Sequence, residues 1–164
     1  MNLRKCRISI GLVIVGLIIS GVTAFPLLSE MNLISRVLVG EGGSLDPADH
    51  ADAALTNWIL TVREGLDVTY AEYPFIAYGT DWLAFGHIII ALFYILPYHD
   101  PLRYRGVLFV GVIASLLVIP LALICGEIRG IPFGWRLIDC SFGILCLLPL
   151  GYAIRESGRA SGET

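Results

Sequence analysis

The sequence predicts an all-α integral membrane protein, a four-helix bundle with a partly helical extracytoplasmic loop. Three observations predict it. The chain of 164 residues is 56% hydrophobic and only 15% charged, where a soluble domain carries roughly 25% Asp, Glu, Lys and Arg. Its mean hydropathy is +0.77. Its apolar residues fall in long runs separated by short polar breaks, as expected of a chain that crosses a bilayer several times. Together these exclude a soluble enzyme, a disordered chain and a disulfide scaffold.

Four runs approach the roughly 20 apolar residues that a spanning helix needs. They cover about residues 8–28, 82–98, 106–125 and 137–153 of a single membrane domain. The first and third hold no charge. The second holds His87, and the fourth is apolar except for Asp139, Cys140 and Ser141 near its start. The first run also resembles a signal peptide: Arg4, Lys5 and Arg7 precede it, and Val22-Thr23-Ala24 looks like a cleavage site. Its apolar stretch continues through Leu28, longer than the usual signal core of about 7–15 residues, which favours retention as a span.

Charge sets the expected orientation, because basic residues collect in short cytoplasmic segments. With the N-terminus inside, Arg4, Lys5, Arg7, Arg103, Arg105, Arg155 and Arg159 are cytoplasmic. Arg36, Arg63, Arg129 and Arg136 are then outside, and so are all the acidic residues except Asp100, Glu156 and Glu163. Both termini are expected in the cytoplasm of a bacterial inner-membrane protein, with residues 29–80 forming the outer loop. That loop is acidic, which argues against nucleic acid as a partner.

Within the loop, Ser29 is a candidate cap for a helix at 30–39 with Leu33, Ile34, Val37 and Leu38 at helical spacing. The glycines at 40, 42 and 43 end it. Asp46-Pro47 is a second helix start, and Ala51, Leu55, Trp58, Ile59 and Val62 share a face before Gly65 closes that helix. Tyr70, Tyr73, Phe75, Tyr78 and Trp82 then mark a headgroup zone. Such helices cap a bundle or lie on the bilayer; docking a partner is the sharper reading. His50 reads as a solvated surface residue, and the loop has no metal-binding spacing.

Between the spans, short connections at 99–105 and 126–136 favour antiparallel neighbours. Gly11, Gly16, Ser20 and Gly143 are small enough for close helix approach. Pro97, Pro120 and Pro149 should kink or shorten their spans.

The polar residues near the outer ends of the spans carry what chemistry the sequence suggests. Asp81 caps the second span, and His87 lies six residues deeper, about 9 Å along a helix. Glu127, Arg129, Trp135 and Arg136 lie in or beside the outer connection. Arg136, Asp139, Cys140 and Gly143 share one helix face by their spacing. An ionisable residue inside a span costs about 2.5–3.5 kcal/mol on insertion scales, so Asp139 and His87 should turn inward and find partners. Arg136 or Arg129 is expected for Asp139, and Asp81 or Asp139 for His87. Two readings stand: an ion pair orienting the fourth helix, or a pocket open to the outer leaflet. In the pocket His87 and Asp139 act as general acid and base. Asp81, Trp82, Glu127, Arg129, Trp135, Arg136 and Cys140 line it, and the arginines hold a phosphate or carboxylate head.

The four cysteines form no CxxC pair, which argues against thiol redox chemistry. His87 and His99 would lie about 18 Å apart along one helix, which rules out their sharing a haem. No metal and no cofactor are expected.

The segments AYGTDWLAFGH (77–87) and RGIPFGWRLIDCSFG (129–143) resemble a family of small four-span bacterial inner-membrane proteins to which no activity is assigned. The likeness runs from Tyr73 onward. It implies a bacterial origin and the four-span layout, and contributes no ligand or catalytic residue.

The leading expectation is therefore a membrane protein that binds, and if catalytic transforms, an amphipathic lipid or isoprenoid-like ligand. The alternative is a non-catalytic accessory or assembly subunit whose outer helices dock a larger membrane complex. A transporter is the weakest reading, since a single four-helix unit offers little room for a path.

Overall fold

The computed structural model describes residues 3–161. Among them there is no strand, and six α-helices follow one another: α1 (Leu3–Ala24), α2 (Leu27–Val39), α3 (Ala54–Glu72), α4 (Ala77–His99), α5 (Arg105–Ile128) and α6 (Phe133–Ser161). Four of these, α1, α4, α5 and α6, are long and apolar enough to cross a membrane. The runs at 82–98, 106–125 and 137–153 lie within α4, α5 and α6. The first, at 8–28, is broken: α1 stops at Ala24, Phe25 and Pro26 form a turn, and Leu27 and Leu28 belong to α2. Both α1 and α6 extend past their runs at their charged ends. The extra turns carry Arg4, Lys5 and Arg7 at the start of α1 and Arg155 and Arg159 at the end of α6. Helical hydrogen bonding does not stop where hydrocarbon does, so charged turns can continue a span beyond the bilayer core.

The chain divides into two compact units: one of residues up to Ile18 and from Ile89 onward, the other of residues Ile19–Ile88. In the first unit the core joins four helices. Cys6, Ile10 and Val13 of α1 meet Tyr94 of α4, Leu108 of α5, and Leu150 and Ala153 of α6. The α1 residues repeat at three- and four-residue steps, so one face enters the core. Polar contacts fix the same helices: Ser9 Oγ donates to the Pro149 carbonyl at 2.8 Å, and Arg7 Nη2 donates to the His99 carbonyl at 2.9 Å. Outward, this unit shows Leu116, Leu117, Leu121, Ile144, Leu145 and Leu148, all at least half exposed. That surface is suited to lipid tails.

The helices α5 and α6 pack side by side. They approach closely at Gly143, where a Cβ would lie 2.5 Å from the Ser115 carbonyl oxygen and 3.3 Å from Val118 Cβ. Without a hydrophobic drive between helices in lipid, such close backbone contact is what holds them together. Pro120 lies within α5 and Pro149 within α6, and both helices continue through them.

In the second unit α2 packs on α3, with Ser35, Ile59 and Leu60 buried. Two elements begin elsewhere than the sequence pattern suggested. The first loop helix starts at Leu27 behind Pro26, not at Ser29. Asp46 does cap a turn, accepting from Ala48 N at 2.8 Å, but that turn is a short 3₁₀ segment at Pro47–His50. The long helix starts separately at Ala54 and runs through Gly65 to Glu72. Asn57 Nδ2 donates to the Pro47 carbonyl at 2.7 Å, tying the two pieces together. A glycine inside a helix costs only about 1 kcal/mol, which the burial of Ile59 and Leu60 offsets.

Candidate functional site

The connection between α5 and α6 is built on Gly130, whose φ of 70° suits glycine. Gly130 N donates to the Glu127 carbonyl at 3.0 Å, and Ile131 N to the Gly126 carbonyl at 2.9 Å. These two bonds make a Schellman closure, which satisfies carbonyls left open at the end of α5. Pro132 follows, and its carbonyl accepts from Trp135 N and Arg136 N to start α6. The glycines and proline at 126–134 thus form a compact turn.

Across that turn lies an ion pair. Arg136 Nη1 bonds the Glu127 carboxylate and donates to the Leu123 carbonyl at 3.4 Å. The guanidinium lies 5.4 Å from the Phe133 ring centroid. The Arg136 side chain is 13% exposed and that of Glu127 is 70% exposed. Gly126 makes room for it: a Cβ there would be 2.7 Å from Arg136 Cγ and Cδ. The sequence pattern paired Arg136 with Asp139, one turn farther along α6. In the structure the arginine instead turns back to Glu127, because there it gains a carboxylate, a helix carbonyl and an aromatic face together.

Asp139 is consequently left without Arg136. Among the described residues its carboxyl makes no hydrogen bond and no ion pair, although it is only partly exposed. Arg129, the other expected partner, is exposed on the turn. Beside Asp139, Cys140 is 6% exposed, with Sγ 3.9 Å from the Ile119 carbonyl of α5. Trp135 is half-buried in the first turn of α6. All four described cysteines are free thiols.

The remaining candidates lie in the other compact unit. Thr80 Oγ1 donates to the Ala77 carbonyl at 2.6 Å and lies 3.1 Å from the Tyr70 hydroxyl, linking α4 to the end of α3. Trp82 is 58% exposed and meets Tyr78 and Phe85 edge to face at 6.0 and 6.1 Å. Asp81, half-buried, makes no side-chain bond among the described residues. His87 Nδ1 lies 2.8 Å from the Leu83 carbonyl. A carbonyl can only accept, so Nδ1 is the donor in this bond. The histidine's partner is therefore the backbone of its own helix, where the sequence had suggested Asp81 or Asp139. Gly21 of α1 packs against this stretch of α4 beside Ala84 and His87.

Among the described residues no three His, Cys, Asp or Glu side chains converge as metal ligands. The sequence reading missed the role of Glu127 as the anchor of Arg136, and the only signal for it was opposite charges flanking a Gly-Pro turn. Comparison of the chain with protein-family models, with curated proteins and with solved structures finds no match.

Proposed function

We propose that this multi-pass membrane protein binds an amphipathic lipid or isoprenoid-like ligand through its polar head, at the Asp139 end of α6. The observation that carries the reading is a carboxyl inside a spanning helix with no partner among the described residues, beside an arginine already engaged by Glu127. Such a group is costly in hydrocarbon unless something satisfies it. A ligand hydroxyl or amine would do so, with the exposed Arg129 available to a phosphate or carboxylate on the same head and Trp135 bordering it. The distribution of Arg and Lys supports cytoplasmic termini. With the resemblance of residues 77–87 and 129–143 it supports a bacterial inner membrane, and the Asp139 end then faces the outer leaflet.

The test is mass spectrometry of lipids retained by gently extracted protein, wild type beside Asp139→Asn. One amphipathic species enriched in the wild type and lost from the variant is the expected result. Identical retention in both would sink the reading and leave Asp139 as a packing residue.

A second reading, an accessory subunit that docks a larger membrane complex, is favoured by α2. This helix buries Ser35 and exposes Leu33 and Val37, at 65% and 73%. Co-purification of one membrane protein, abolished by Val37→Asp, would favour it.

A further inference from the structure

We infer that the end of the first unit away from the α5–α6 turn holds a second, separate lipid site, a groove between α1 and α6 that takes an anionic phospholipid. Lys5, Ile8, Ser9 and Leu12 of α1 and Tyr152 of α6 line a groove of about 230 Å³. Positions 5, 8, 9 and 12 follow one face of α1 by their spacing. Ser9 anchors the floor, because its hydroxyl is spent on the Pro149 carbonyl of α6. Ile8 and Leu12, at 55% and 64% exposed, give an apolar wall for acyl chain. The Lys5 ammonium and the Tyr152 hydroxyl supply the polar part.

Charge selects the occupant. Lys5, Arg4 and Arg155 make no ion pair and no hydrogen bond through their side chains among the described residues. Arg155 follows Tyr152 by three positions and so continues the same face of α6. The cations nearby that do have partners use them differently: Arg159 bonds Glu156 at 2.9 Å, and Arg7 bonds the His99 carbonyl. Glu156 is thus taken by Arg159, and Asp100 accepts from Arg103 N at 3.1 Å. The groove therefore pairs an apolar wall with one lining cation, Lys5, that has no protein anion among the described residues, and it fits a phosphate head carrying a hydrocarbon tail. Basic pockets between membrane helices bind such lipids.

The experiment reconstitutes the full chain into phosphatidylcholine vesicles and compares the motionally restricted fraction of spin-labelled phosphatidylglycerol with that of spin-labelled phosphatidylcholine. The expected result is selectivity for phosphatidylglycerol that Lys5→Gln lowers about five-fold, the scale for one cation near the surface. Leu12→Trp, which fills the groove and keeps every charge, should lower it comparably. Arg103→Gln, at the same end but outside the groove, should leave it unchanged. Equal restriction of the two lipids by the wild type overturns the proposal. So does an Arg103→Gln loss as large as that of Lys5→Gln, which would mean diffuse attraction, or an unchanged Leu12→Trp. Displacement of the labelled lipid by inorganic phosphate at constant ionic strength would assign the site to free phosphate and overturn the lipid.

Discussion

The α2–α3 pair and the α5–α6 pair meet through different residues. Between α5 and α6 the contact is small and close: Gly143 on Ser115, and Cys140 near the Ile119 carbonyl. Leucines and isoleucines point away from the seam, as lipid on the far side permits. Between α2 and α3 the buried set mixes Ile59 and Leu60 with Ser35, and Arg63 Nε donates to Asn32 Oδ1 at 2.8 Å. Yet α2 also turns Leu33, Ile34, Val37 and Leu38 outward. A helix of 13 residues cannot span a bilayer of about 30 Å core thickness. Two residues, Phe25 and Pro26, separate it from the end of α1, a helix long and apolar enough to cross a membrane. The comparison teaches that an outward apolar face is not one signal: on α5 and α6 it belongs to helices long enough to cross a membrane, and on α2 to a helix too short to do so.

Four substitutions would break or sharpen that contrast. The largest effect is expected from Leu60→Ala. It empties a fully buried position of α3 and should cost about 3 kcal/mol, seen as faster hydrogen exchange in α2 and α3 with α5 and α6 still protected. If protection fell equally in all helices, the two pairs would not be independent. Next, Gly143→Val drives a side chain into the Ser115 carbonyl and should cost about 2 kcal/mol, read as a lower melting temperature in detergent. An unchanged melt would show that close approach does not hold the seam.

Glu127→Gln should have a smaller effect, about 1 kcal/mol, because the Glu127 side of the pair is exposed and screened. Raising the salt concentration should shrink the difference between this variant and the wild type. The smallest effect on stability is expected from Val37→Ser, within about 0.5 kcal/mol for an exposed position. The same variant should weaken burial of α2 at a vesicle surface, measured by quenching of a fluorophore placed on that helix.

The four membrane-spanning runs were legible because a bilayer imposes length and apolarity on the sequence directly. The cap at Asp46 was legible too, but not what it caps: Asp-Pro opens a short 3₁₀ turn here, and the long helix starts separately at Ala54. What escaped was everything that depends on which of two surroundings a residue meets. Leu33 and Val37 give the same periodicity whether their face is covered by α3 or left open. Gly65 reads as a helix end until the burial of Ile59 and Leu60 carries the helix through it. Arg136 has Asp139 at the helical spacing that sequence rules reward. Its real partner, Glu127, lies nine residues back across a turn, a contact that only the Schellman closure at Gly130 creates.

The cysteines have a practical consequence. A water-soluble maleimide needs a thiol that is both uncovered and near water. Cys6 and Cys140 are buried, and Cys146 sits half-covered midway along α6. Cys125 is exposed in the last turn of α5. The wild-type chain therefore carries a single readily labelled position close to the α5–α6 turn, which reports from intact cells which side of the membrane that turn occupies without any engineered tag.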